Sequence, residues 1–164
     1  MKINIRPMLG EDKPALMAML RNTPEFTPQE VAVAEEVIDS YLYNPDSYNT
    51  LVAEINKGVA GYICYGRTPL TESTWDIYWL AVSADKRGLG VGSALTAFAE
   101  KQIGDSGGRL IIIETSSKPS YEKTRHFYID HGYEVVCQIP DFYSPGDDKI
   151  ILQKRIGHSP PRVI

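Results

Sequence analysis

The stretch of sequence that decides the fold is residues 80–93, LAVSADKRGLGVGS, in which glycines at 88, 90 and 92 alternate with other residues. Apolar residues precede the glycines as in a strand, and apolar positions recur at helical spacing after them. Glycine permits positive φ and lets a backbone approach a ligand without an intervening Cβ. Because loop N–H groups and those of a first helical turn together form an anion cradle, the stretch predicts a phosphate or pyrophosphate site.

Two other phosphate-binding loops and a simple glycine turn are the alternatives. The order Gly88-x-Gly90-x-Gly92 lacks the G-x-G-x-x-G spacing of dinucleotide-binding folds, and the loop falls mid-chain. No Gly-Lys-Ser/Thr follows, which argues against a Walker A loop. A turn that uses glycine only for its shape is less favoured, because Lys86 and Arg87 place two cations beside the glycines.

The residues on either side of the loop predict a mixed α/β chain. Before the loop, strands are predicted at 2–6, 50–55, 59–66 and 74–83, with helices opening at 11–14 and at the capping box of Thr27 and Glu30. After the loop, helices are predicted at 91–103 and 120–131, and strands at 110–115, 133–138 and 148–155. The apolar run 110–113 is typical of a central strand that is covered on both faces and is parallel to a neighbour. We expect one domain over residues 1–156 and a disordered tail at 157–164.

Composition excludes several classes of protein. The 164 residues are 43% hydrophobic and 23% charged, typical of one globular domain, and no stretch approaches the roughly 20 apolar residues of a membrane-spanning helix. The N-terminus lacks the pattern of a signal peptide, which predicts a cytoplasmic location. The net charge of −4 and the lack of a basic stripe argue against nucleic-acid binding. Cys64 and Cys137 lie in apolar runs and are expected to be reduced, mostly buried thiols.

Two motifs resemble the GNAT superfamily of N-acetyltransferases. Arg87-x-x-Gly90-x-Gly92 matches the family's Arg/Gln-x-x-Gly-x-Gly/Ala, and the segment 127–133, FYIDHGY, is similar to its Phe/Leu-Tyr-x-x-x-Gly-Phe/Tyr signature. The similarity extends from the first strand over nearly the whole chain. It implies a mostly antiparallel mixed sheet with a central, splayed parallel strand pair, flanked by helices.

The resemblance also implies a donor and an acceptor. The donor is acetyl-CoA, with no metal, and the acceptor is an amine on a small molecule, a protein N-terminus or a lysine. The backbone of residues 87–93 is expected to hold the coenzyme A pyrophosphate, which assigns Arg87, Gly88, Leu89, Gly90, Val91, Gly92 and Ser93. The strand residues Leu80, Ala81 and Val82 are expected to pair with the pantetheine arm. The side chains of Lys86 or Arg87 either contact the phosphate groups or are solvated surface charges. These two alternatives are equally favoured.

Acyl transfer from a thioester to an amine requires a base, an oxyanion donor and an acid for the thiolate. The resemblance assigns Tyr128 as the acid, and a core aromatic is the alternative. Two carboxylates are candidate bases: Glu114, preferred because burial at the end of an apolar strand would raise its pKa, and Asp76. A chain of water molecules that removes the proton without a single base is a further alternative. A backbone N–H near residues 80–82 is the expected oxyanion donor.

Departures from the family pattern and rival functions limit what the resemblance implies. Tyr121 and Thr124 replace an Asn and an Ala of the family, so the contacts of that Asn are in doubt. The segment 141–148 is expected to be a polar, aromatic loop that either borders the acceptor or is a solvated hairpin turn. The alternative function is a non-catalytic coenzyme A sensor of the same fold; a toxin-like enzyme acting on aminoacyl-tRNA is disfavoured by the acidic charge. A homodimer is left open.

Overall fold

The computed structural model describes residues 1–157, which form four helices, seven strands and three short 3₁₀ turns. The helices are α1 Lys13–Arg21, α2 Pro28–Tyr43, α3 Val91–Asp105 and α4 Glu122–Asp130. The strands are β1 Asn4–Pro7, β2 Asn49–Ile55, β3 Gly58–Arg67, β4 Thr74–Val82, β5 Leu110–Ser116, β6 Glu134–Ser144 and β7 Asp147–Arg155. Most of the predicted tail lies outside the described residues. No helix among residues 1–157 has the length and apolar character needed to cross a membrane.

The first of two compact units comprises Met1–Gly66 and Ile77–Lys101. Its strands β1, β2 and β3 pair antiparallel, and α1 and α2 pack over them around a core that contains Leu16, Leu20 and Tyr62. The predicted capping box is confirmed: the Thr27 hydroxyl accepts from the Glu30 N–H at 3.2 Å, and the Glu30 carboxylate accepts from the Thr27 N–H at 2.7 Å. Local sequence therefore sets where α2 begins.

Strands β2 and β3, which agree with the strands predicted at 50–55 and 59–66, form a hairpin. Asn56 and Lys57 both adopt positive φ, 51° and 65°, which is the geometry of a two-residue turn matched to the twist of the strands. A β-bulge between Ala53 and Glu54 then shifts the register by one residue, so that Val52 faces Tyr62 and Thr50 faces Cys64. Because directly opposite residues share a face, all four side chains lie on the same side of the sheet.

The second unit comprises Arg67–Asp76 and Gln102–Ile164, described here to residue 157. It contains β5, β7 and β6, which pair antiparallel in that order, together with α4 and the start of β4. Ile111, Tyr128 and Leu152 are buried in its core. Gly132, at the end of α4, has φ 88°, as expected of a helix C-terminus.

The strand order is β1-β2-β3-β4-β5-β7-β6, which confirms the predicted mixed sheet. Strand β4 begins in the second unit and ends in the first. Since α3 connects β4 to the neighbouring β5 as a crossover, β4 and β5 are the parallel pair, and the other neighbours are antiparallel.

Strand β6 departs from the expectations drawn from the sequence. It extends to Ser144, so the long loop predicted at 141–148 is wrong, whereas the alternative of a hairpin turn agrees with Pro145 and Gly146, which separate β6 from β7. Its pairing with β7 is interrupted between Ile139 and Ser144, where Asp141 has φ 54°. All of β6 is exposed, including Cys137, which was expected to be mostly buried. An edge strand pairs with a neighbour on one side only. The periodicity of the sequence does not reveal which strand lies at the edge of the sheet.

Candidate active site

The glycine loop lies between β4 and α3, entirely within the first unit. Gly88 and Gly90 have φ of 76° and 81°, which side chains with a Cβ rarely adopt. A Cβ built on either glycine would meet no atom within 4 Å, so the loop backbone faces open space. The structure therefore has the two properties that the sequence predicted: left-handed glycine conformations and an unobstructed backbone.

The N-terminus of α3 follows directly from this loop. Its hydrogen-bond ladder begins with the Ala94 N–H donating to the Gly90 carbonyl at 2.9 Å, so Val91 and Gly92 precede the ladder. Such N–H groups carry the positive end of the helix dipole. Val91 is buried, and Gly61 of β3 permits close packing beneath it: a Cβ on Gly61 would lie 2.8 Å from the Ala81 carbonyl and 3.0 Å from Val91 Cγ1. The helix start is thus fixed against β3 and β4.

Both cations of the loop are engaged by carboxylates. The Arg87 guanidinium donates from Nη1 to Glu25 Oε1 at 2.9 Å and from Nη2 to Glu25 Oε2 at 3.0 Å. The Lys86 ammonium lies 2.7 Å from Asp85 Oδ2. The Glu25 contact raises the pKa of Arg87, and the Lys86 contact lowers the pKa of Asp85. The partner of Arg87 is 62 residues away in sequence, and no sequence signal indicated it.

The end of β4 presents Leu80 and Val82 half-buried and Ala81 buried between them. The chain leaves the strand at Ser83, whose N–H donates to the Ala60 carbonyl at 2.8 Å. This bond fixes the direction in which the chain enters the glycine loop. Leu80, Ala81 and Val82 therefore lie on a rigid strand rather than on a loop.

Tyr128 is buried in the second unit, where α4 packs on the sheet. Its ring contacts Phe127 edge-to-face at 5.3 Å and Tyr133 at 5.5 Å, measured between centroids. Burial raises the pKa of the Tyr128 phenol, because the low-dielectric surroundings disfavour the phenolate. The phenol therefore keeps its proton throughout the neutral pH range.

Glu114 differs from its sequence-based expectation. Its side chain is 48% exposed, and its Oε2 lies 2.7 Å from Lys149 Nζ. Lys149 Nζ also lies 4.3 Å from the centroid of the Phe142 ring, so its ammonium sits between a carboxylate and an aromatic face. The expected burial of Glu114 is wrong, because β5 is fully buried on one face only and Glu114 lies on the other.

Asp76 is half-buried on β4 and accepts a hydrogen bond from the Thr68 hydroxyl. Asp76 and Glu114 thus have different partners within the second unit. Lys149 and Phe142 are the contacts that sequence reasoning missed. Among residues 1–157, no cluster of three or more His, Cys, Asp or Glu side chains is arranged to hold a metal ion.

Comparison with known proteins adds an independent finding to this geometry. The sequence model of the acetyltransferase (GNAT) domain matches residues 46–135, which include β4, the glycine loop, α3 and α4. The chain belongs to the GNAT acetyltransferase family. The members of this family are acyltransferases, and the resemblance drawn from the two motifs is confirmed.

Individual GNAT relatives agree with this assignment. An uncharacterized N-acetyltransferase of Methanocaldococcus jannaschii is 33% identical over 108 residues, which are 63% of this chain and 64% of the relative, so the chain spans less than two thirds of that protein. A crystal structure from Desulfovibrio desulfuricans, provisionally assigned to the GNAT family, is 36% identical, with a TM-score of 0.90 over 94% of this chain and 99% of that one. An aminoglycoside 6′-N-acetyltransferase complexed with coenzyme A shares the fold at 21% identity, with a TM-score of 0.76 over 96% and 99% of the two chains.

Proposed function

We propose that this chain transfers an acetyl group from acetyl-CoA to a primary amine by direct attack of the amine on the thioester. The observation that carries the proposal is the glycine loop, in which Gly88 and Gly90 turn an unobstructed backbone outward just ahead of the N-terminus of α3. A diphosphate is the ligand that such a cradle suits. The family and the coenzyme A complex of a protein of the same fold support coenzyme A as its source.

The coenzyme is proposed to contact the backbone more than side chains. The amides of residues 87–93 hold the pyrophosphate, and the strand residues 80–82 pair with the pantetheine arm. Two features of the first unit support this assignment. The loop cations are already paired with Glu25 and Asp85, and β4 is held at Ser83 by its bond to Ala60. A backbone N–H near residues 80–82 is proposed as the oxyanion donor.

Tyr128 is proposed as the acid that protonates the departing thiolate. A phenol whose pKa is raised by burial remains protonated at neutral pH, which an acid must be before it can donate. The bond that forms joins the amine nitrogen to the acetyl carbon. The bond that breaks is the thioester C–S bond, whose sulfur takes the phenolic proton. The proton that the acylated nitrogen loses passes through solvent to the phenolate and restores the phenol.

The base that deprotonates the ammonium form of the acceptor is proposed to be Glu114 or Asp76. Glu114 is accessible but paired with Lys149, and Asp76 is less accessible and bonded to Thr68. The variants Glu114→Gln and Asp76→Asn distinguish them, because each removes the basic oxygen while keeping the side-chain shape. The variant that lowers turnover about 100-fold without changing coenzyme affinity identifies the base. If neither substitution lowers turnover, the remaining alternative is a chain of water molecules that removes the proton without a single base.

The acceptor is proposed to be a small-molecule amine, a protein N-terminus or a lysine. A cytoplasmic location and a homodimer also stay predictions. A thiol-release assay with acetyl-CoA against polyamines, amino acids, aminoglycosides and peptides tests the activity. Turnover with at least one amine is expected. Tight binding of coenzyme A without turnover would favour the sensor alternative, whereas absence of coenzyme A binding would contradict the proposal altogether.

A further inference from the structure

The ion pair between Glu25 and Arg87 joins the glycine loop to the connection between α1 and α2, both within the first unit. Two parallel N–H···O contacts of 2.9 and 3.0 Å link the guanidinium to the carboxylate. Side-chain exposures are 43% for Arg87 and 22% for Glu25, so the pair is open to solvent on the arginine side. Arg87 is the first residue of the loop that is proposed to hold the pyrophosphate. The pair therefore lies at the edge of the coenzyme site.

Glu25 is held in place by its own segment. The Phe26 N–H donates to the Thr23 carbonyl at 3.1 Å, which closes a four-residue turn with Pro24 in its second position, where the fixed φ of proline favours a turn. The Phe26 ring packs edge-to-face on Trp79 of β4, with centroids 5.6 Å apart. The next residue, Thr27, is the N-cap of α2. The backbone at Glu25 is thus fixed by its neighbours, and Arg87 has the longer side chain of the pair.

A guanidinium binds carboxylate and phosphate through the same two-pronged geometry, so the two anions are alternative partners. We propose that Glu25 competes with the coenzyme pyrophosphate for Arg87, and thereby lowers the affinity for coenzyme A and speeds release of the product. Arg87 pairs with Glu25 in the free protein and turns to the phosphate oxygens when coenzyme binds. This inference rests on the proposed coenzyme A site.

The expected effect follows from the strength of such a pair. Partly exposed ion pairs contribute about 0.2 to 1 kcal/mol, so breaking this one before coenzyme binds costs up to about fivefold in affinity. Glu25→Gln removes the charge and keeps the shape. We expect this variant to bind coenzyme A about two- to fivefold more tightly than the wild type by calorimetry, with a correspondingly slower dissociation rate in stopped-flow displacement.

Two controls isolate the role of Arg87. Glu36→Gln removes the same charge from an exposed position on α2 and is expected to leave coenzyme A affinity unchanged. In an Arg87→Gln background, Glu25→Gln is expected to have no further effect, because the shared partner is gone. Pantetheine, which lacks the pyrophosphate, is expected to bind the wild type and Glu25→Gln equally.

Several outcomes would overturn the competition. Unchanged or weaker binding of coenzyme A to Glu25→Gln would show that Glu25 does not compete. An equal gain in the Arg87→Gln background would mean that Glu25 repels the coenzyme directly rather than through Arg87. These outcomes are distinct from failure of the proposed function, in which the wild type itself does not bind coenzyme A. Cooperative thermal unfolding of each variant, with a melting temperature within a few degrees of the wild type, establishes that it folds.

Discussion

Replacing Gly90 by alanine separates the backbone strain in the glycine loop from its role in binding. Gly90 has φ 81° and Gly107, after α3, has φ 80°, and a Cβ on either residue would meet no atom within 4 Å. The two positions thus have nearly the same positive φ and the same open surroundings, but only Gly90 lies in the proposed pyrophosphate cradle. Gly107→Ala is a matched control for Gly90→Ala.

The stability cost is expected to be similar at the two positions. An L-residue in the left-handed region costs about 1 to 2 kcal/mol, partly offset by about 0.4 to 1 kcal/mol because alanine restricts the unfolded chain. The net loss is about 1 kcal/mol, which lowers the melting temperature by about 2–4 °C in a chain of this size. Coenzyme affinity is expected to differ, because a Cβ on Gly90 would occupy the open space through which the pyrophosphate approaches the loop. Displacing the pyrophosphate from one charge-assisted amide contact of about 1.5 kcal/mol or more weakens binding by at least about tenfold.

Differential scanning calorimetry measures the first effect, and isothermal titration with coenzyme A measures the second. We expect equal melting temperatures for the two variants and weakened binding for Gly90→Ala alone. Wild-type affinity in Gly90→Ala would refute the backbone cradle. An equal loss of affinity in Gly107→Ala would show that general destabilisation, rather than the loop, accounts for the effect.

Four further substitutions have defined outcomes. Tyr128→Phe keeps the ring that packs on Phe127 and Tyr133 but removes the proposed acid. Thiol release is therefore expected to fall about 100-fold, while the affinity for coenzyme A stays unchanged. Unchanged turnover would show that Tyr128 is a core aromatic only. Glu114→Gln is expected to lower turnover more than Asp76→Asn, because the Glu114 carboxylate is the more exposed of the two and so the more accessible to an amine. Initial rates with one acceptor measure this, and the reverse order would assign the base to Asp76. Asp12→Asn is expected to destabilise the protein by about 2 kcal/mol at pH 7 in urea unfolding, because the two contacts of Arg6 at 2.8 Å lose their carboxylate. Those contacts lower the pKa of Asp12 below 3.8, so the stability they give is present above pH 3.8 and is lost as the pH falls further. The difference in unfolding free energy between Asp12→Asn and the wild type should therefore narrow at pH 3.

Local signals in the sequence were sufficient for much of the fold. The capping box of Thr27 and Glu30, the turn at Asn56 and Lys57, and Gly132 each act through backbone groups within a few residues, so their structures follow from neighbours in sequence. The extent of β6 could not be predicted in the same way. Pro140 and the positive φ of Asp141 indicate a break, yet the strand resumes at Ser144 through pairing with Asp147.

The candidate site likewise has features that could be predicted from the local sequence and features that could not. Glycine spacing and the strand before it identified the loop, because both are properties of contiguous residues. The environment of Glu114 could not be predicted, since its pairing with Lys149 depends on how β5 and β7 align. An apolar run ending in a carboxylate is consistent with a buried base and equally with an exposed ion pair. Only the burial of alternate residues along β5 decides between them.

The two cations of the glycine loop illustrate why charge in a motif is a weak guide to its chemistry. In sequence, Lys86 and Arg87 beside three glycines are equally consistent with side chains that contact phosphate and with solvated surface charges. In the structure each is held by a carboxylate, Asp85 from the same turn and Glu25 from 62 residues away. What faces open space in the loop is the glycine backbone, because a Cβ built on Gly88 or Gly90 would meet no atom within 4 Å. Coenzyme recognition is therefore expected to depend first on peptide N–H groups, and the charges set how tightly the coenzyme is kept.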